Sequence, residues 1–203
     1  MGIKRINWLG LAGGVTTLSL VVVALVYASP WWQLAIGEEM GRASTSPLNF
    51  NADLFGESIR IPIIQFLNVG SLLSLIACAI AILIYSIVPN KSYSQNLLNF
   101  AYKKPLIIVI VFLVVLFIAT YVAGTLFHSS IPLMGSAIIK LSFGGVSIAI
   151  PITTGFTWTF WLAVVAAGLC IAAKIYHKRI MLVPTAKTSP EPPKPPESKE
   201  IGK

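Results

Sequence analysis

The chain has 203 residues, 56% of them hydrophobic and 11% charged, with a mean hydropathy of +0.81. Soluble domains carry about 25% charged residues, so a soluble enzyme or binding domain is excluded and an integral membrane protein is expected. The formal charge of +8 is read as orientation in a bilayer, not as nucleic-acid binding, for which no motif is present.

In chain order, the basic start MGIKRIN leads into a first apolar segment, Trp8–Ala28. Lys4, Arg5 and the VYA before Ser29 resemble a secretory signal. The apolar run exceeds the roughly 7–15 residues of a signal core, however, so a retained span is expected. An outer loop, residues 29–62, follows. Its second half alternates, with Leu48, Phe50, Ala52 and Leu54 on one side and Asn49, Asn51 and Asp53 on the other. A turn at Gly56-Glu57 would set Leu54 opposite Ile59, Ala52 opposite Ile61 and Asp53 opposite Arg60.

The second span runs from about Ile63 to Val88 and is closed by Pro89. Gln65 and Asn68 begin it at the outer interface. The inner loop, residues 89–105, holds a short interfacial helix, with Leu97, Leu98, Phe100 and Ala101 to one side. The third span, Leu106–Phe127, contains no charge. A second outer loop, 128–157, precedes the fourth span, Trp158–Tyr176, in whose last turn Lys174 reaches the interface. The tail from 178 to 203 is basic and proline-rich, and is expected to be solvated and disordered in the cytoplasm.

Within the second outer loop, SAIIKLSFGGVSIAIPI (136–152) is apolar enough to pass for a fifth span. A turn at Gly144-Gly145 pairs Phe143 with Val146, Leu141 with Ile148, Ile139 with Ile150 and Ala137 with Ile152, all apolar. The other face pairs Ser142 with Ser147 and Lys140 with Ala149. Period-two alternation that keeps its face across a Gly-Gly turn specifies a β-hairpin. A helix would bury the two glycines and Pro151 in its interior.

Charge agrees. With four spans, the N-terminal side carries Lys4, Arg5, Lys91, Lys103, Lys104 and seven cations from Lys174 onward, while the other side carries Arg42, Arg60 and Lys140. A fifth span would move the seven outside, reverse the positive-inside pattern and leave Lys140 at mid-bilayer for at least about 2.5 kcal/mol. The expected fold is therefore α-helical and integral to the cell membrane. It is a four-transmembrane-helix bundle with both termini cytoplasmic, carrying a small extracellular antiparallel β-sheet built from the 1–2 and 3–4 loops. The apolar faces of the two hairpins are expected to pack on each other. Aspartate at both Phe143 and Ile148 is then expected to abolish the sheet.

Chemistry-bearing groups are sparse. No Asp, Glu, Arg or His precedes Lys174 within the spans, which argues against an ion or proton pathway. His128 and His177 fall at opposite ends of their helices, so they cannot share a metal or haem. No catalytic triad, carboxylate pair or phosphate loop is present. Catalytic residues, cofactor and metal are accordingly all expected to be none. Cys78 and Cys170, with no CxxC spacing, read as packing residues.

Small residues recur at spacing four around Gly13, Gly70, Ser74, Ala119 and Ala163, which suits close helix approach in the bundle or in an oligomer. Trp31 and Trp32, with Trp158 and Trp161, suit the outer headgroup level, and the exposed pair suits a partner. Asp53, Arg60, Lys140, Phe143 and Ile148 complete the candidate interaction surface. The expected partners are the lipid bilayer and other membrane proteins or further copies of the chain, with no nucleic acid.

Four spans, cytoplasmic termini, a longer first outer loop, outer strands and tryptophan just beyond span one together resemble the claudin/PMP22-like tetraspan group. That group's first loop carries a W…GLW…C…C pattern. SPWWQL echoes its start, but GLW and the outer cysteine pair are missing. The resemblance covers roughly residues 8–177 and implies a role in assembly, adhesion or accessory binding. Two alternatives stay open. One is an integral accessory subunit of a larger membrane complex, such as a respiratory oxidoreductase, and the other is an oligomeric channel.

Overall fold

The computed structural model describes residues 6–37, 40–54, 56–89, 91–126, 128–143 and 146–178, with backbone alone at 54, 141–143 and 146–147. The basic N-terminal residues of the signal-like reading, the Gly144-Gly145 turn and the tail from 179 onward lie outside them. Four helices are long and apolar enough to cross a membrane. They are α1 (Trp8–Tyr27), α2 (Pro62–Ile87), α4 (Lys104–Leu126) and α5 (Trp158–Tyr176), and the short α3 (Ser94–Ala101) lies between α2 and α4. Their bounds follow local chemistry: Asn7 caps α1 by accepting from Gly10 N at 3.0 Å, and Pro62 opens α2 where its missing N–H costs nothing.

Helix α1 is wedged between α2 and α5, and glycine makes the wedge possible. A Cβ at Gly10 would lie 2.4 Å from Ser86 Oγ, one at Gly14 2.7 Å from Leu83 Cγ, and one at Gly13 3.2 Å from the Cys170 backbone nitrogen. Asn7, fully buried, ties the wedge at the end away from the sheet. Its Nδ2 donates to Tyr85 Oη at 2.9 Å and to the Ala173 carbonyl at 3.2 Å, and its backbone N–H donates to Ser86 O at 3.1 Å. The small residues read from the sequence therefore divide. Gly13 and Ala163 are buried in the bundle and Ser74 is half-buried. Gly70 and Ala119 are exposed, and nothing lies within 4 Å of a Cβ built on Gly70.

Both cysteines are free and buried. Cys78 donates to the Ala101 carbonyl at 3.2 Å, and Cys170 lies 3.8 Å from the Thr17 hydroxyl. The first of these contacts, with buried Leu98 and Ala101, seats α3 on α2. Phe100 departs from the expected apolar side. It is exposed, with Lys104 Nζ 3.7 Å from its ring centroid, a cation–π contact that holds the aromatic ring outside the seam.

At the opposite end of the bundle lies one six-stranded antiparallel sheet, ordered β4-β3-β2-β1-β6-β5. Its strands are β1 (Trp32–Ile36), β2 (Gly41–Thr45), β3 (Phe50–Leu54), β4 (Glu57–Ile59), β5 (Gly135–Phe143) and β6 (Val146–Phe156). The β5–β6 register matches the pairing read from the sequence, from Phe143↔Val146 through Ala137↔Ile152, and continues to Gly135↔Thr154.

The first hairpin is corrected by two residues. Leu54 faces Glu57, Ala52 faces Ile59, and Asp53 faces Ser58 and not Arg60. Gly56, at φ +84°, takes the second turn position, where positive φ favours glycine. The slip is even, so no side chain changes face.

A second correction concerns the faces. The two hairpins do not pack on each other. They stand side by side, joined by the unanticipated β1–β2 pair, with β1 bonded to β6 from Trp32↔Phe156 to Ile36↔Ile152. Their shared apolar face is turned to the helix ends, where Trp32, Ile139 and Ile152 are buried.

Replacing Gly14 by valine is expected to overpack the α1–α2 seam and cost about 1–3 kcal/mol. Gly70→Ala, in open space within α2, should stabilise by about 0.4–1 kcal/mol. Thermal unfolding in detergent measures both, and equal losses would contradict the wedge.

Candidate functional site

The sheet offers two surfaces of opposite chemistry. On the face away from the bundle, strand alternation exposes Gln33, Arg42, Asn51, Asp53 and Thr153. Register aligns them in rows: Asn51–Ser44–Gln33–Gly155, and beside it Asp53–Arg42–Ala35–Thr153. Together they line a polar depression of ≈ 600 Å³ floored by Gly155 and Ala35. An acid and a base on neighbouring strands, with amide and hydroxyl groups around them, suit recognition of another polar surface.

Under the sheet lies an apolar groove of ≈ 500 Å³. Helix α4 leans on α5, whereas α2 and α4 meet in few places, so their walls part. The sheet roofs the gap with Trp32, Leu34, Thr45, Ser46 and Phe50. Asn68 of α2 holds that roof, its amide oriented so that nitrogen donates to Pro47 O at 3.2 Å and oxygen accepts from Phe50 N at 3.3 Å.

Sheet and bundle are joined at Trp31. It is 1% exposed, with its ring edge-on to Phe112 of α4 at 5.3 Å and to Phe160 of α5 at 6.2 Å. Phe156 of β6 stacks on Phe160 at 4.4 Å. Backbone bonds complete the joint: Trp31 N–H donates to Thr45 O, and Thr157 N–H donates to Trp31 O, both at 3.0 Å. The Pro30 carbonyl accepts from the Thr157 and Thr159 hydroxyls. Trp32 is 5% exposed, and its indole N–H donates to Leu133 O at 2.8 Å.

These positions correct part of the anticipated surface. Trp31 and Trp32 are core, not headgroup anchors or a free contact pair, because the chain turns directly from α1 into β1 and carries both rings under the sheet. Trp158 and Trp161 are exposed, at 60% and 55%.

Asp53 and Lys140 share the polar face but are separated by β2, β1 and β6, about 19 Å across the strands, and by four residues along β5 from the Asp53 row, about 13 Å more in that direction. Arg60 is exposed just beyond β4. Phe143 closes the β5–β6 pairing opposite Val146, and its side chain lies outside the description. Ile148 is 47% exposed, whereas Ile139 is 6% exposed. Cover on the hairpin's apolar face thus falls at its base, and aspartate at Ile148 has less to disrupt than the pairing pattern implies.

Gln33, Arg42, Ser44 and Thr153 were missed as members of this surface, whereas Asn51 was read on the polar side of its strand. The signal lay in the alternation of WQLAI and GRAST, which Gly37 (φ +61°) turns back on each other.

The histidines sit at opposite ends. Exposed His128 has Nδ1 at 2.9 Å from Thr125 O, and His177 is buried edge-on against Tyr85 at 5.5 Å. Burial, then the nearby Lys174 charge, pulls the His177 pKa down. Among the described residues no group of three His, Cys, Asp or Glu is placed to hold a metal.

In comparisons with known proteins, no family model, no curated protein and no solved structure matches the chain.

Trp31→Ala is expected to lower stability by about 3–5 kcal/mol. Trp32→Phe, which keeps an aromatic ring but loses part of the indole and its hydrogen bond to Leu133 O, should cost less, about 1–3 kcal/mol. Thermal unfolding in detergent separates them, and an inverted order would displace Trp31 from the joint.

Proposed function

We propose that this chain is a non-catalytic, four-span protein of the cell membrane that acts in assembly or interaction through the polar face of its sheet. The sheet stands on the extracellular side and both termini are cytoplasmic. The observation that carries the reading is the two-faced sheet. One face is committed to the helix ends through Trp32, Ile139 and Ile152, and the other presents the Arg42–Asp53 row and its polar neighbours with no helix or loop of the described residues built over it.

Orientation is supported by cation placement, with Lys91, Lys103, Lys104 and Lys174 at the α3 end of the bundle. Exposed Trp158 and Trp161 at the start of α5 fit the opposite headgroup level. The sparse set of titratable groups in the helices supports an interaction role over transport or catalysis. The likeness to claudin/PMP22-like tetraspan proteins stays architectural and points the same way.

Extraction in mild detergent tests the proposal. The unchanged chain is expected to elute with a stoichiometric protein partner or as a defined homo-oligomer. Arg42→Glu combined with Thr153→Tyr should dissociate that complex without shifting the melting temperature. A complex indifferent to these changes would overturn the assignment of the polar face. Co-purifying haem-bearing or catalytic subunits would place the chain as an accessory subunit, and ion conductance by the pure protein would make it a channel.

A further inference from the structure

The groove between α2 and α4 is not a simple strip of helix surface. It is closed at the sheet end by Trp32 and Phe50, and open to the side past Leu67, Val111 and Val115, which are 61%, 54% and 58% exposed. Along α4 its lining runs from Ile107 to Ala123, which at the helical rise is about 24 Å. One leaflet of hydrocarbon is about 15 Å deep, half of the roughly 30 Å core. The groove is therefore long and apolar along α4, walled opposite by α2 over about 10 Å, from Ile64 to Ser71, and by the sheet beyond it.

We propose that it holds one hydrocarbon chain of a membrane lipid, with an uncharged polar portion lodged under the sheet. The inference rests on the four-span reading, which places the open side of the groove against the bilayer. Size selects the occupant. A helix about 10 Å across and 24 Å long fills roughly 1,900 Å³, so a neighbouring span could lie across the open side but could not fill the ≈ 500 Å³ within.

Polarity sets the orientation of the lipid. Thr45 and Ser71 offer hydroxyls at the roof, Ser46 and Asn68 there being already bonded within the chain, and no Asp, Glu, Lys, Arg or His lines the groove. The lining Thr120, toward the C-terminal end of α4, turns its hydroxyl back to the Leu116 carbonyl at 3.0 Å and so presents no polar group. A hydroxyl, ester or ketone oxygen fits the roof, whereas a phosphate finds no counter-charge there. Retention depends on close packing, because hydrocarbon inside the groove and outside it is equally apolar.

The full chain, reconstituted in phosphatidylcholine vesicles doped with a phosphatidylcholine bearing a diazirine on one acyl chain, is the test system. After illumination, adducts are expected on Ser71, Val115 and Ala119 at several times their density on Val22 of α1 and Val165 of α5, which are exposed outside the groove. Ala119→Phe should remove the groove adducts and leave those on Val22. Native mass spectrometry of the unchanged chain should retain one bound lipid. Even labelling of all four helices, groove adducts that persist in Ala119→Phe, or a bare chain in the mass spectrum would each overturn the groove assignment alone. No adducts on any helix would overturn the four-span reading with it.

Discussion

Trp31 is the constraint on which the rest of the structure depends. It is the first residue after the α1 exit that must be placed, and it is placed between two aromatic side chains on different helices, Phe112 and Phe160. Burying so large a ring there fixes the distance between α4 and α5 at the sheet end. The same residue's backbone is bonded to Thr45 of β2 and to Thr157 at the end of β6. One position thereby joins the first loop, the second loop and the bundle. Without the β1–β2 pair that it leads into, the two hairpins would be separate two-stranded ribbons, which are marginal in water.

The geometry of the bundle follows from a complementary constraint at the other end. Glycines at positions 10, 13 and 14 let α1 approach both α2 and α5, and Asn7 closes that contact with hydrogen bonds to each. Because α1 occupies the space between them, α4 packs at the margin, more on α5 than on α2. The parted walls of α2 and α4 are the result, so the groove beneath the sheet is a consequence of tight packing elsewhere and not a local flaw.

Much of this was legible in the sequence, for identifiable reasons. The four apolar helices were readable from length and hydropathy, and α5 kept its bounds at Trp158 and Tyr176. The β5–β6 register was readable because seven consecutive pairs, from Phe143–Val146 to Ala137–Ile152, had to satisfy one alternation, and a one-residue slip would have turned Ile139 and Ile152 outward.

The β3–β4 register was not readable. Three pairs constrain it weakly, and Gly56 suits either turn position. Strands β1 and β2 were hidden because each is five residues long, and the glycines of β2 and its turn read as loop. The burial of the tryptophan pair was equally illegible, since an aromatic pair just past a span has the same local sequence whether it anchors at the headgroups or folds under a sheet. The candidate site suffered most from this. Its polar face depends on β1 pairing with β6, a contact between residues more than a hundred positions apart.

That contact is also the most direct test of the account. Ala35 and Thr153 are register partners across β1 and β6 on the polar face, and the native Cys78 and Cys170 are fully buried. Mild oxidation of a chain carrying Ala35→Cys and Thr153→Cys should form an intramolecular disulfide, visible as a mobility shift reversed by reductant. Ala35→Cys with Thr154→Cys, one residue out of register and on the opposite face, should not. Failure of the first pair to bridge, or equal bridging by both, would contradict a single sheet shared by the two loops.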